Sequence, residues 1–468
     1  MENLNIIIGK INTVLYFPIL VVLLIAVGLY FTIRTGFIQV SLLKEAFKVI
    51  KEKPKDESDV SSFQALMIST ASRVGTGNIV GVSSAICLGG YGAVFWMWLV
   101  AIIGSASAFA ESTLAQIYKK KGKHSSYGGP SYYIEEGLKS RKLGVVFSIA
   151  LIVCYAVGFN MLASFNLQSS FQSYGIYNPQ VSPKIIGGFF ALAVAFVILG
   201  GGKRIIKITQ SLVPFMGIIF VLVSLIMIGL NIGRIPEVFR KIIEDAFNFK
   251  AIFSGLAGSS MILGMKRGLY SNEAGIGSAP NAAAAAEVSH PVKQGLVQML
   301  SVFIDTLLIC SATAFMGLSS GIDPSPALEG APFIQEALAS VFGNLGYYFI
   351  SASLVLFGFT TFIGNLYYVD SNFDYLAKKE LDEKQRIPYR IIAAFLIFFG
   401  AIQEQAFVWN LSDLFMGIMA LINLPTILIL SNKLIACLKD YKAQRKEGKD
   451  PSFVAKNIGI KEELDYWK

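Results

Sequence analysis

The run Ser72-Arg73-Val74-Gly75-Thr76-Gly77-Asn78 is where this chain could do chemistry. It is polar and broken by glycine, yet its flanks, 63–68 and 79–88, are apolar enough for a bilayer. Glycine disfavours helix by roughly 1 kcal/mol per residue, and Gly75, Gly77 and Gly81 fall close together. Broken backbone at membrane depth persists only where protein buries it or where it lines a cavity, because lipid offers no partner to the freed N–H and C=O groups. Amides exposed around Gly75, Thr76 and Gly77, at the start of a half-helix, suit a carboxylate. Carbonyls ending the facing half-helix suit a sodium ion or an ammonium group. Close packing of small residues would explain Gly77 and Gly81, which are four apart. It would not explain Arg73 and Asn78.

Two further constellations could take part. In 357–364 the adjacent hydroxyls of Thr360 and Thr361 interrupt an apolar segment. Sodium prefers oxygen ligands, which these hydroxyls and freed carbonyls supply; the alternative is that each threonine bonds back to the carbonyl four residues earlier. In 144–173, Phe165 and Gln168 are three apart and share a helix face. They would give a pocket one apolar wall and one amide, whereas Asn160, Asn166 and Gln168 could equally serve hydrogen bonds between helices. Arg73, Glu111, Lys266, Arg267, Glu273 and Asp305 also lie inside apolar stretches. A charge at the bilayer centre costs roughly 2.5–3.5 kcal/mol, so these six need partners within the protein, for example Arg73 with a carboxylate of the seventh or eighth span.

Catalysis finds no support. His124 and His290 are loop residues without ligand neighbours, and Cys87, Cys154, Cys310 and Cys437 are scattered without CxxC pairing. Gly75, Gly77 and Gly81 lack the spacing and the preceding strand of a dinucleotide site. The chain is read as a protein other than an enzyme.

Positioning these residues requires a membrane scaffold. The chain of 468 residues is 54% hydrophobic and 15% charged, with mean hydropathy +0.58, as in polytopic helical membrane proteins. Eleven stretches approach the ~20 residues of a spanning helix: 12–33, 62–88, 91–118, 144–173, 185–201, 208–232, 251–284, 292–318, 345–369, 388–403 and 408–432. The first has no small-residue cleavage site before Arg34 and is read as a retained helix rather than a signal peptide. The net charge of +9 does not signal nucleic acid. Thirty-one of the 40 basic residues fall in 34–55, 119–142, 203–207, 293, 378–390 and the tail from 433. The opposite side holds only Lys10, Lys184, Arg234, Arg240, Lys241 and Lys250. By the positive-inside rule the N-terminus is outside and the C-terminus cytoplasmic, in a multi-pass protein of the cell membrane.

The fold expected is an all-α membrane protein of eleven transmembrane helices. Residues 1–61 form an N-terminal helix and cytoplasmic loop, 62–232 a first set of five helices, and 251–432 a second. Between the sets, 233–250 has helical apolar spacing and reads as an extracellular surface helix; 433–468 is a cytoplasmic tail. Each set opens with an interrupted segment, the second holding Gly264-Met265-Lys266-Arg267-Gly268 and Ser271-Asn272-Glu273-Ala274-Gly275-Ile276-Gly277. Because five is odd, the second set starts from the opposite face: an inverted repeat with two broken helices, the sequence sign of a transport site. The second break falls either at 264–268 or at 271–277. The first choice gives half-helices of more balanced length and is preferred.

The stretches 89–98, continuing to Phe109-Ala110-Glu111, and Lys266-Arg267-Gly268-Leu269-Tyr270-Ser271-Asn272-Glu273-Ala274-Gly275-Ile276-Gly277-Ser278-Ala279-Pro280-Asn281 resemble the alanine or glycine:cation symporter family of sodium-coupled amino-acid carriers. That resemblance implies the leucine-transporter-type fold of five plus five helices, whose first core helix carries a pattern similar to Val74-Gly75-Thr76-Gly77-Asn78. It implies that the Asn78 side-chain oxygen contacts a sodium beside the substrate. It further implies a second sodium held by carbonyls of Ala71, Val74 and Phe357 and hydroxyls of Thr360 and Thr361.

The resulting expectation is a monomeric symporter that imports alanine or glycine with sodium. The substrate carboxylate would sit on amides of 75–77, and its ammonium would face carbonyls of the second break, at Gly264 or at Asn272. Phe165 and Gln168 would help close the pocket. A carrier of another small ligand and a passive channel are the competing readings.

Overall fold

The computed structural model describes residues 2–54, 56, 59–122, 125–248, 259–460 and 463–467. His124, part of the expected 251–284 span and the boundary at 250 lie outside them. Among the described residues the only strand-like pairings are two isolated bridges, Val60 with Ala286 and Lys120 with Tyr127; everything else is helix and connection.

The helices that bear on the site are α1 (Glu2–Arg34), α2 (Ser62–Arg73), α3 (Gly77–Gly89), α4 (Ala93–Ile117), α5 (Arg141–Ser169), α6 (Ser182–Ile198), α7 (Gly202–Leu230), α8 (Ile235–Ala246), α9 (Ser260–Asn272), α10 (Pro280–Ala285), α11 (Pro291–Ser319), α12 (Ala331–Phe342), α13 (Asn344–Ala377), α14 (Glu383–Ala401), α15 (Gln405–Ile429) and α16 (Ser431–Lys446). Seven of them, α1, α4, α5, α7, α11, α13 and α15, are long and apolar enough to cross a membrane; α3 and α6 are shorter apolar helices. The burial pattern sorts centre from rim. Helices α2, α9, α10 and the first half of α11 are buried nearly all round, whereas α6 exposes Ile185, Phe189, Leu192 and Phe196, and α14 exposes Ile391 and Phe395. A helix that is apolar on its outward face at three- and four-residue spacing is one solvated by lipid. The surface helix expected in 233–250 is α8, with Val238, Ile242 and Ala246 turned inward.

Both interruptions have a visible local cause. Helix α2 opens on a capping box, with Gln64 N donating to Ser61 Oγ at 3.1 Å and Ser61 N to Gln64 Oε1 at 2.9 Å. It ends where Val74 leaves helical geometry at φ −75°, ψ 84°. The second interruption follows Asn272, where Glu273, Gly275 and Gly277 take φ of 54°, 84° and 87°. Three left-handed residues within five cannot continue a right-handed helix.

The second break therefore lies at 273–279, and the preference for Gly264 is corrected. Gly264 sits inside the unbroken α9, where its missing side chain lets the helix press on α4: a Cβ there would overlap the Ala93 carbonyl oxygen and come within 2.9 Å of Trp96 Cβ. Its glycine serves close packing. Helices α12 and α16 and the short helix Pro130–Leu138 occupy segments read from the sequence as loops or tail. Gly264→Val should accordingly act on stability, by about 1–3 kcal/mol of overpacking. Thermal unfolding of the purified variant should show a lowered midpoint, and an unchanged midpoint would contradict the packing assignment.

Candidate functional site

At the first break Asn78 makes the decisive bonds. Its Oδ1 accepts from Gly75 N at 2.8 Å, and its own backbone N donates to Gly75 O at 3.2 Å. In a continuous helix these two amides would be aimed at the carbonyls of Ala71 and Val74. Both amides are thus turned away from those carbonyls, and α13 lies against the same stretch of backbone. A Cβ on Gly364 would come within 2.7 Å of Ser72 N and 3.1 Å of the Ala71 carbonyl carbon, and one on Gly75 would overlap Thr361 Oγ1. The two threonines differ. Thr360 Oγ1 lies 3.1 Å from Leu356 O and 3.0 Å from Phe357 O, the back-bonded arrangement. Thr361 Oγ1 is buried with no hydrogen-bond partner. Thr361 Oγ1 stands against Gly75, and Gly364 of the same helix packs on the Ala71–Ser72 backbone, while the Phe357 carbonyl already accepts from Thr360.

A small pocket opens beside this cluster. Its walls are Ser72, Arg73, Gly75, Thr76 and Gly77 from the first break, Phe159 of α5, Tyr270 of α9, Glu273 of the second break, and Thr361. At about 10 Å³ it has room for about one water molecule. A larger ligand needs Tyr270 to move, since a Cβ on Gly77 would be 2.7 Å from that ring. Tyr270 packs edge-on against Phe159 at 4.8 Å and Trp409 at 5.2 Å. Trp409 in turn lies under the Arg267 guanidinium at 3.7 Å, and Asp413 binds Arg267 at 3.1 Å and Lys266 at 2.7 Å. Lys266 and Arg267 thereby find the partner their depth demands, a carboxylate that the sequence reading had not singled out.

Phe165 and Gln168 do not line this pocket, which corrects their expected role. Gln168 Oε1 accepts from Tyr177 at 2.7 Å. The α5 residues at the break are Phe159 and Asn166, the latter donating to Thr76 Oγ1 at 3.2 Å. A π-helical turn at Val153–Phe159 precedes the regular stretch Asn160–Ser169 that carries both Phe165 and Gln168. Asn272 ends α9, its Oδ1 accepting from Ala274 N at 3.0 Å, while its buried Nδ2 has no partner.

Three buried carboxylates hold the breaks in place. Glu111 of α4 accepts from Gly275 N at 3.3 Å and Gly277 N at 3.1 Å, and from Asn423 Nδ2 of α15 at 2.7 Å. Asp305 of α11 accepts from Asn78 Nδ2 at 2.7 Å and from the hydroxyls of Ser271 and Thr306, each at 2.8 Å. Glu273 joins the two breaks, with Ser72 Oγ at 2.9 Å and Ser278 Oγ at 2.7 Å. Arg73 touches none of them. Its guanidinium bonds Gln298, at 3.3 Å to the carbonyl and 3.4 Å to Oε1, and its Nε and second terminal nitrogen have no hydrogen-bond partner.

Long apolar helices around two interrupted ones, with polar backbone and buried carboxylates at the interruption, define a multi-pass membrane transport protein. The chain belongs to the sodium:alanine symporter family, whose description matches residues 1–455. It is 43% identical to the probable sodium/glutamine symporter GlnT of Bacillus subtilis, over 96% of this chain and 92% of that one. It is 37% identical to the sodium/alanine symporter AgcS of Methanococcus maripaludis, over 94% of this chain and 97% of that one. Among solved structures, the crystal structure of MhsT in complex with L-phenylalanine matches its fold with a TM-score of 0.53 at 14% identity, covering 87% of this chain and 96% of that one.

The Glu111 bonds generate a graded prediction. Glu111→Ala strands two buried amides, each costing about 1–3 kcal/mol, whereas Glu111→Gln keeps one acceptor oxygen. Thermal melts of the detergent-solubilised variants should rank wild type above Gln above Ala; equal midpoints would show that the carboxylate does not hold the second break.

Proposed function

We propose that the chain is a sodium-coupled symporter importing a small neutral amino acid, alanine or glycine, by alternating access. The observation that carries this reading is the buried, unpartnered Thr361 hydroxyl set against Gly75, at a break where the Gly75 and Asn78 amides are turned away from the Ala71 and Val74 carbonyls. Neutral oxygens in a dry site suit a hard monovalent cation, and with Thr360 and the Phe357 carbonyl they would hold sodium. The substrate carboxylate would lie on the amides of Thr76 and Gly77, the Gly75 amide being already given to Asn78 Oδ1, and its ammonium near Asn272 and Glu273 at the second break. The nearness of Tyr270 to Gly77 favours a substrate with a small side chain. Asn78 would act on the ion at one remove, since its Oδ1 fixes Gly75.

In this reading eleven spans cross the membrane: α1, then five in 62–232 and five in 251–432, the two sets related as inverted repeats with α2/α3 and α9/α10 as their broken first members. The basic loops put the N-terminus outside and the tail in the cytoplasm, and one chain is the working unit. The stack Phe159–Tyr270–Trp409 with the Asp413 ion pairs would close the outer side. Carriage of another amino acid on the same framework is the second reading, favoured by the glutamine named for a relative 43% identical. A passive channel is disfavoured by so small a central pocket.

Radiolabelled alanine uptake into proteoliposomes should follow an inward sodium gradient, saturate, and be stimulated by alanine on the far side. Thr360→Ala with Thr361→Ala should raise the sodium concentration for half-maximal uptake by about tenfold, the equivalent of roughly 1.4 kcal/mol. Sodium-independent uptake would refute the coupling, and unaltered sodium dependence in the double variant would refute this ion site.

A further inference from the structure

The end of the bundle carrying the basic loops holds a vestibule of about 330 Å³, lined in part by Val60, Tyr127, Ile206, Asn281, Asp370 and Ser371. Asn281 reaches from its wall to the second break, donating to Ser278 O at 2.7 Å. On one side the vestibule rim is Val60, the residue that leads into α2. It pairs with Ala286, and Glu287 N donates to Val60 O at 2.9 Å. Widening the vestibule there requires the base of α2 to part from the turn between α10 and α11.

That turn is gripped from its other side by the tail. Beyond α16 the chain doubles back, and Phe453 N donates to Ser289 O at 2.9 Å. Asp450 meets Lys293 Nζ at 2.8 Å, and the Tyr466 hydroxyl bonds the Glu287 carboxylate. Trp467 Nε1 donates to Gln116 O at 2.7 Å, at the end of α4. Lys119 completes the clasp: its Nζ donates to Ala286 O at 2.8 Å beneath the Tyr466 ring at 3.8 Å and the Trp467 ring at 5.2 Å. The lysine is almost wholly buried. A buried ammonium with one carbonyl partner needs further stabilisation, and the Glu287 and Asp59 carboxylates and the faces of the two tail rings supply it.

We propose that the C-terminal segment from residue 447 is a strap that clamps the α10–α11 turn to the end of α4, keeping the Val60–Ala286 rim closed, and that its release permits the vestibule to open. The contacts are single hydrogen bonds, an ion pair whose Asp450 side chain is 73% exposed, ring faces over one cation, and the burial of Phe453, Ile458, Ile460 and Leu464. The inference rests on the carrier reading for its purpose, release of cargo into the cytoplasm, but not for its geometry.

The test uses the full chain with Ser125→Cys, a partly exposed vestibule residue; the four native cysteines are buried. Its reaction with a membrane-impermeant maleimide is timed in inside-out vesicles. Tyr466→Ala with Trp467→Ala should raise the labelling rate at least about threefold, a shift toward the open population, and removal of residues 447–468 should do the same. Trp467→Phe, which keeps a ring over Lys119 but loses the bond to Gln116, should fall between. Unchanged labelling in the double-alanine variant, eluting as a single species in detergent, overturns the strap even if the truncated chain fails to fold. Labelling reports access whatever is carried, so failure of sodium-driven uptake would strike the carrier reading and leave this result standing.

Discussion

Backbone polar groups released at membrane depth must find partners inside the protein, and the rest of this architecture follows from meeting that demand twice. The first break is stitched locally, by Asn78 reaching back three residues to Gly75. The second is stitched from afar. Glu111 on α4 takes two of its amides, and Asn423 on α15 donates to Gly275 O at 2.9 Å as well as to Glu111. The difference has a physical basis. A helix resuming within three residues can be bridged by one short amide side chain, whereas seven residues of left-handed and turn geometry need supports from neighbouring helices.

Charge adds a second constraint. Glu111, Glu273 and Asp305 are fully buried near the breaks, and Arg73 is the basic group among them without a carboxylate in contact. A site of that composition attracts cations, and in a low-dielectric interior such attraction is strong. A sodium ion entering beside Thr361 would offset part of that excess and so favour the state in which the amides of the first break face an incoming carboxylate. Coupling of ion to substrate needs such a differential effect on the two states.

Much of this was legible in the chain. The first break announced itself because Arg73 and Asn78 have no business in a lipid-facing helix, and Thr360 and Thr361 because paired hydroxyls are conspicuous among phenylalanines. The charge pattern and apolar stretches gave the class of protein. The second break was ambiguous since Gly264 and Gly275 look alike as letters; one lets two helices touch and the other turns the chain left-handed, a distinction made by the neighbour and not by the residue. Phe165 and Gln168 do share a helix face, but which face of α5 meets the first break is set by packing between helices, which spacing along one helix does not reveal. The pairing of Lys266 and Arg267 with Asp413 joins residues more than 140 positions apart, which spacing along one chain cannot reveal.

The central claim is that the unwound segment 74–77 binds both ion and cargo through its backbone. The most direct measurement is a high-resolution density map of the protein with alanine and thallium substituted for sodium. The account predicts an anomalous peak between the Ala71 and Val74 carbonyls and the Thr361 hydroxyl, with the alanine carboxylate on the amides at Thr76 and Gly77. A cation peak elsewhere in the molecule, or a substrate bound away from 74–77, would contradict it.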